Sequence, residues 1–386
     1  MKKRLLLSGA MAVALLANAQ TKLVEKVTRQ GSEIVIPYEK YKLANGLTLI
    51  VHEDHSDPVV HVDVTFHVGS AREEIGKSGF AHFFEHMLFQ GSDNVGDEQH
   101  FKIVSDAGGT LNGSTNRDRT NYYETVPSNQ LEKMLWLESD RMGFFLDAVT
   151  QRKFEIQRST VKNERGQNYD NVPYGLLSEF TAKNIYPYGH PYSWLTIGFV
   201  EDLNRVDVND LKNFFLRWYG PNNATLTIGG DVKTADVVKL VEKYFGSIPR
   251  GPEVKPTELP VPVLASDRYV SYTDNYARVP QLAITYPTVP NYHPDQAALA
   301  CLAQVLGQGK NSVLYQTVTK KQLGLNAQSF SGHSELSGEF TVRMVPSPGK
   351  SLADQLTLYR AALDTLDARG ITDEDVEKFK GGVVSG

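Results

Sequence analysis

Two histidines and one glutamate lie within five consecutive residues of this chain, in the order His82-Phe83-Phe84-Glu85-His86. On a helix with about 100° per residue, His82, Glu85 and His86 fall on one face. Histidines four positions apart can bind one zinc ion, and Glu85 would lie beside a water on that ion. An alternative interpretation without a metal is two core histidines beside a solvated glutamate, but burying polar groups without partners is costly. The opposite face carries Phe80, Phe83, Phe84, Met87 and Leu88.

A third metal ligand has to come from another element. A catalytic zinc typically takes three protein ligands and leaves one position open to water. Glu164 is a candidate because it lies near the end of a helix predicted over residues 151–166. On composition alone Glu164 could equally be a surface residue, so the third ligand stays open at this point.

Hydrophobic periodicity places these residues on an alternation of strands and helices. Apolar residues alternate with polar ones from Leu47 to Val51 and again from Val60 to Val68, as in half-buried strands. The pattern predicts further strands at 121–126 and 224–229, and helices at 79–90, 129–145, 151–166, 207–217 and 233–245.

The pattern then starts again about 220 positions later. Val62, Val64 and Phe66 correspond to Leu282, Ile284 and Tyr286. We therefore expect an α+β protein of two homologous domains, although a shared order of strands and helices could imitate a weak repeat. The expected segments are domain 33–248, a Pro-rich linker at 249–265, and domain 266–386, whose end inside a helix predicts an incomplete second copy of a longer polypeptide.

The N-terminus predicts export. Residues 1–19 combine a cationic start, an apolar stretch and the small residues Ala17-Asn18-Ala19, which is typical of a signal peptide. The only cysteine is Cys301, so a lipid anchor after the cleavage site is not expected. The net charge of −5 without a basic cluster argues against nucleic-acid or anionic-membrane partners. The mature protein is expected to be periplasmic or extracellular, without a membrane anchor.

The order of motifs resembles the insulinase/pitrilysin family of zinc peptidases. That family has the inverted motif His-x-x-Glu-His, and here a helix ending near Glu164 follows His86 by 78 residues. Segments 108–127 and 219–231, including Tyr122-Tyr123 and Gly229-Gly230-Asp231, also resemble family segments in the same order. The likeness covers nearly all of the mature chain.

The resemblance implies a function and a set of roles. It implies a zinc-dependent metalloendopeptidase that hydrolyses extended or unfolded peptides with a zinc-bound water, one zinc per chain, and the fold of mitochondrial processing peptidase. His82, His86 and Glu164 would be the ligands and Glu85 the general base. Asn112 and Gly113 would belong to an edge strand that binds substrate, although Asn-Gly could merely form a turn.

Departures from the family pattern qualify these expectations. Gln157 stands seven residues before Glu164, where some members have a second acid, so its expected role is a hydrogen bond around the metal site. Residues 323–327 lack an arginine and a tyrosine that hold substrate in relatives. The resemblance thus implies a partner half, in the same polypeptide or another subunit, that completes a clamshell.

The second copy has no metal motif. His82, Glu85 and His86 correspond to Ala300, Ala303 and Gln304, so this copy is expected to be a metal-free scaffold. Alternative functions are a noncatalytic binding or assembly subunit of the same fold and a zinc hydrolase of another small substrate.

Overall fold

A seven-stranded sheet forms the centre of the N-terminal part. The computed structural model describes residues 21–31 and 35–385, so the predicted signal peptide lies outside the described residues. The strand order is β1-β2-β3-β7-β4-β6-β5, with β3 and β7 parallel and all other neighbours antiparallel. The strands are β1 (Lys22–Val27), β2 (Tyr38–Lys42), β3 (Thr48–Glu53), β4 (Val59–Phe66), β5 (Thr110–Thr115), β6 (Thr120–Pro127) and β7 (Ala224–Gly230).

Helices cover one face of this sheet. The alternation in β4 explains why: Val60, Val62 and Val64 are almost fully buried, whereas His61 between them is exposed. The strand therefore buries its apolar side chains against the helices. The helices are α1 (Phe80–Met87), α2 (Gln99–Asp106), α3 (Leu131–Gly143), α4 (Gln151–Arg165), α5 (Leu177–Ile185), α6 (Val200–Arg205), α7 (Val208–Trp218) and α8 (Thr234–Phe245).

A second, smaller unit follows. Its three-stranded antiparallel sheet has the order β8-β10-β9 and a separate buried core. We call residues 35–248 the first half and residues 282–385 the second half; residues 249–281 between them contain no helix or strand. The elements of the second half are β8 (Leu282–Thr288), α9 (Gln296–Gly307), β9 (Gly324–His333), β10 (Gly338–Pro346), α10 (Leu352–Arg369) and α11 (Asp373–Ser385).

The α+β class with two homologous units is confirmed. In both halves a strand is followed by a helix and then by a hairpin, and the hairpin's second strand lies between the other two. The domain limits at 33–248 and 266–386 and the linker at 249–265 stay predictions. None of the described helices is long and apolar enough to cross a membrane.

The predicted helix at 79–90 is shorter than expected. It begins at Phe80, because Gly79 before it has a positive φ of 91°, a left-handed conformation that suits glycine and not a helix. It ends at Met87, after which the backbone forms the tighter hydrogen bonds of a turn, from Phe89 to the carbonyl of His86 and from Gln90 to that of Met87.

Candidate metal centre

The apolar face of α1 fixes the orientation of its polar face. Phe83, Phe84 and Met87 are fully buried, and the ring of Phe84 stacks on Tyr219 with a centroid separation of 4.8 Å. Burial of one such side chain contributes roughly 1.5–3 kcal/mol. The helix therefore cannot rotate without exposing these rings, and His82, Glu85 and His86 stay on the partly open side.

The N-terminus of α1 is held by a carboxylate from the preceding loop. Gly79 offers no side-chain cap, and instead Glu73 accepts hydrogen bonds from the backbone N–H of Gly79 (2.9 Å) and Ala81 (2.8 Å). The indole N–H of Trp194 donates to the same carboxylate at 3.0 Å. Burial raises the pKa of Glu73 to about 8, and the three donors oppose that shift. Although this pKa lies above neutral pH, we assign the ionised form, because both oxygens accept hydrogen bonds from N–H groups at a helix N-terminus and these donors favour the carboxylate.

Glu164 reaches the two histidines from α4. Its Oε2 lies 3.5 Å from Nε2 of His82 and 3.1 Å from Nε2 of His86. The two helices are also joined by their cores, since the rings of Phe83 and Phe154 are 4.9 Å apart. The structure thus brings together two imidazoles from one helical turn and a carboxylate from 78 residues away.

The spacing of these atoms fits a zinc ion. Four ligands about 2.0–2.1 Å from a tetrahedral zinc lie roughly 3.3–3.4 Å from one another. One ligand atom from each of His82, His86 and Glu164 lies within 4.8 Å of the other two, and the two measured contacts bracket the tetrahedral value. Two imidazoles and one carboxylate are also a donor set that catalytic zinc sites use.

The charges of the site suit metal binding. Burial lowers the pKa of His82 to about 4, so at neutral pH its ring is uncharged and keeps a lone pair for a metal. The hydrogen bond with His86 lowers the pKa of Glu164, which keeps that carboxylate ionised. Both side chains are therefore in the protonation state that metal coordination would need.

Glu85 lies beside the ligands but takes a different partner. Its Oε2 accepts a hydrogen bond from the hydroxyl of Thr115 at 2.6 Å. Burial raises the pKa of Glu85, and the Thr115 hydrogen bond lowers it. The carboxylate is oriented by strand β5 and stays free to accept a proton at its other oxygen.

The loop that contains Gly198 contacts both α1 and α4. Arg165, next to Glu164, donates to the carbonyl of Gly198 at 2.6 Å and forms an ion pair with Glu179 at 2.8 Å. Gly198 itself lies against Gly79 at the start of α1, where an added Cβ would be 2.5 Å from the Cα of Gly79. The end of α4 and the start of α1 are thereby fixed to the same segment.

The other predicted site residues lie at two places. Asn112 and Gly113 are in the middle of β5, paired with Tyr123 and Tyr122, so the interpretation as a turn is wrong. Strand β5 is the last strand of the sheet, and its outer edge is open in the described part of the chain. Gln157 is buried on α4, two turns before Glu164, and no hydrogen bond joins it to the four central residues among those described.

The sequence did not reveal the surrounding residues that hold the helices of the site and Glu85 in place. Glu73 and Arg165 are ordinary charged residues in the sequence, and only the fold shows that both are buried with their partners. Thr115 lies in the segment 108–127, which resembles a family segment. The available signal for Thr115 was a hydroxyl on the strand next to the helix with the His-x-x-Glu-His motif.

Comparisons with known proteins agree with this architecture. Residues 48–184 match the family described as "Insulinase (Peptidase family M16)", and residues 205–382 match the "Peptidase M16 inactive domain". The zinc protease PqqE of Helicobacter pylori is 31% identical over 353 residues, covering 89% of this chain and 78% of the relative.

Solved structures give the same result for the fold. A protease from Helicobacter pylori superposes with a TM-score of 0.83 at 30% identity, over 91% of this chain and 85% of that one. The periplasmic protease PqqL from Escherichia coli has a TM-score of 0.72 at 19% identity, over 93% of this chain but only 40% of that longer one.

Proposed function

Because this chain belongs to the insulinase (peptidase M16) family, whose relatives include zinc proteases, we propose that it is itself a zinc-dependent metalloendopeptidase. The observation that carries the proposal is the convergence of His82, His86 and Glu164 at zinc-ligand spacing, with Glu85 alongside. The first half would be the catalytic part, and the second half, which lies mostly within residues 205–382 that match a family domain described as inactive, would be metal-free.

The residues of the site divide the chemistry between them. One zinc ion, held by His82, His86 and Glu164, would acidify a bound water and polarise the scissile carbonyl. Glu85 accepts the proton of the attacking water at a carboxylate oxygen and then donates it to the leaving amine. The hydroxyl of Thr115 fixes the other oxygen of Glu85 during both transfers.

We propose that the substrate is an extended or unfolded peptide. It would add to the open edge of β5 near Asn112 and Gly113, because pairing with a strand edge fixes a backbone without requiring particular side chains. A further half would close a clamshell over it, from the same polypeptide or another subunit. Gln157 would support the site by hydrogen bonding when the metal is bound.

We also propose that the protein acts after export, in the periplasm or outside the cell. The support is the composition of residues 1–19, together with the fold shared with a periplasmic protease.

Glu85→Gln tests the catalytic proposal. The variant should bind one zinc per chain as the wild type does, and its kcat for an unstructured fluorogenic peptide should fall on the order of 100–10,000-fold. Glu132→Gln, at an exposed position of α3, is the matched control and should keep wild-type activity.

Two results would contradict the proposal. Hydrolysis by Glu85→Gln at the wild-type rate would remove the assigned general base. Zinc binding without cleavage of any peptide by the wild type would indicate the noncatalytic binding subunit instead.

A further inference from the structure

The hydroxyl of Thr115 is a direct contact between β5 and the proposed general base. Thr115 donates to Glu85 at 2.6 Å and is the last residue of β5, paired with Thr120 across the hairpin. Two residues earlier, Gly113 packs against the same helix, where an added Cβ would lie 3.3 Å from Cγ of Glu85. The position of the β5–β6 hairpin therefore sets the position of the Glu85 carboxylate.

The turn of this hairpin, residues 116–119, is fixed on one side by the first half. The backbone N–H of Ser70 donates to the carbonyl of Asn116 at 3.1 Å, and that of Ala71 donates to the carbonyl of Arg117 at 2.7 Å. Gly69 allows this approach, since a Cβ there would lie 2.2 Å from the Asn116 carbonyl.

On its other side the same turn contacts the second half through an ion pair. Nη1 of Arg117 lies 2.8 Å from Oε1 of Glu339, the second residue of β10. Tyr186 donates its hydroxyl to the same carboxylate oxygen at 2.9 Å. The guanidinium of Arg117 also lies over the ring of Tyr192, 4.9 Å from its centroid.

A second contact involves the next residue of the turn. Asp118 accepts a hydrogen bond from the backbone N–H of Glu335 at 2.9 Å and another from the hydroxyl of Tyr192. The backbone N–H of Leu336 donates to that hydroxyl at 3.0 Å. Leu336, Tyr186 and Tyr192 share a small buried cluster, so the contact has an apolar core as well.

The two turns that meet are counterparts in the two halves. Residues 116–119 connect β5 to β6, and residues 334–337 connect β9 to β10, which occupy the same places in the two sheets. Each turn closes on itself by one backbone hydrogen bond, from Asn116 to Arg119 and from Ser334 to Ser337.

We propose that the metal-free half positions the general base through this contact, which we call the turn contact: Arg117 and Asp118 with Glu335, Leu336 and Glu339. The inference rests on the proposed function, because it assigns a purpose to the orientation of Glu85. Thr115 is a positioning residue, and Glu339 holds the hairpin that carries Thr115. The second half is thus part of the catalytic machinery although it contains no proposed metal ligand.

A double-mutant cycle tests the inference. Thr115→Val should lower kcat about tenfold with an unchanged KM and zinc content, and Thr115→Ser should restore it, because only the hydroxyl is needed. Glu339→Gln should lower kcat about fivefold by loosening the hairpin. Since both act on Glu85 through the same hydrogen bond, the double variant should resemble Thr115→Val alone.

Asp375→Asn is the matched control. It removes an ion pair with Arg369 inside the second half, at 3.1 Å, without touching the turn contact, and should leave kcat unchanged. Hydrogen exchange of residues 112–120 adds a readout without substrate, and we expect faster exchange in Glu339→Gln than in Asp375→Asn.

The outcomes separate this inference from the proposed function. If the zinc-loaded wild type cleaves no peptide, the proposed function fails and the inference fails with it. If the wild type is active but Thr115→Val or Glu339→Gln keeps its kcat, or the two losses multiply in the double variant, the inference alone is overturned. Equal exchange of residues 112–120 in Glu339→Gln and Asp375→Asn would also overturn it.

Discussion

The two halves of the molecule share one scaffold and differ in chemistry. In the first half the unit is β4, α1 and the β5–β6 hairpin, and in the second it is β8, α9 and the β9–β10 hairpin, with the same strand order. Helix α1 carries His82, Glu85 and His86, whereas α9 carries Ala300, Ala303 and Gln304 at the corresponding positions. The scaffold therefore does not require the metal motif.

The halves also differ in the kind of polar side chain that they bury. Among the described residues, every buried charged side chain lies in the first half, and the second half buries only neutral polar groups such as Ser329 and Gln355. Glu73 and Arg165 belong to the charged set, and both hold helices of the candidate metal centre. A buried charge needs partners to be tolerated, so the first half contains a hydrogen-bonded frame that the second half does without.

The packing between helix and strand shows the same contrast. At Gly113 an added Cβ would lie 3.1 Å from the ring of Phe89 and 3.3 Å from Glu85, whereas its counterpart Gly332 has nothing within 4 Å. Beside Ala300, which corresponds to the proposed ligand His82, the second half has an open cavity of about 520 Å³ that is also lined by His333, among others. At this pair of corresponding glycines the strand is close to the helix only in the first half, where the helix carries Glu85.

The largest expected effect comes from making the two helices alike. His82→Ala gives α1 the residue that α9 has at position 300, and it removes one of the three proposed ligands. We expect the loss of tightly bound zinc and a decrease in kcat/KM on the order of a thousandfold or more. Metal analysis after gel filtration and a peptide assay measure both.

The reverse change is the control for this prediction. Ala300→His places an imidazole on α9 without the other two ligands, so the zinc content should stay at one per chain. A second equivalent of tightly bound zinc in Ala300→His would contradict the contrast between the halves.

A smaller effect is expected where the strand meets the helix. Gly113→Ala introduces a Cβ into contacts tighter than normal packing, and Phe89 and Glu85 would have to move. We expect about a tenfold lower kcat and a loss of roughly 1–3 kcal/mol in the free energy of unfolding. Gly332→Ala should change the free energy of unfolding by less than about 0.5 kcal/mol, and equal effects of the two substitutions would refute the packing argument.

The smallest expected effect is a decrease in the free energy of unfolding at low pH, which we expect to arise from a residue of the first half. Burial, aided by the charge of Arg141, lowers the pKa of His100 from 6.5 to about 3. Between these values the unfolded chain binds the proton and the folded chain does not, so the free energy of unfolding decreases as the pH falls through this window. This amounts to about 1 kcal/mol between pH 7 and pH 5.5.

His100→Leu should remove this part of the pH dependence. Urea denaturation at the two pH values would show a smaller decrease in the variant than in the wild type. His293→Gln, at an exposed position of the second half, should behave like the wild type. An unchanged pH dependence in His100→Leu would show that His100 is not the group responsible.

Much of the site could be predicted because it is local in sequence. The helical period alone puts His82, Glu85 and His86 on one face, and the strong alternation in β4 and β6 predicts the strands beside it. Glu164 needed the family resemblance, because nothing in a surface-type helix sequence shows that its last turn points at a residue 78 positions earlier.

The supporting contacts could not be predicted because they join distant residues of ordinary type. Glu73 lies six residues before Gly79, the residue that precedes the helix, and its role depends on a loop that folds back together with Trp194. The contact of Arg117 with Glu339 joins residues 222 positions apart. Such pairs are determined by how distant segments of the chain meet in the fold, which periodicity does not encode.

Zinc affinity of Glu164→Gln, compared with Glu155→Gln on the same helix, tests the central claim most directly. Competition against a chelator should show one zinc per chain with wild-type affinity in Glu155→Gln, which changes an exposed residue. In Glu164→Gln the affinity should be lower by on the order of a hundredfold or more, because a ligand that closes the site is lost. Equal affinities in the two variants would contradict a metal centre built from His82, His86 and Glu164.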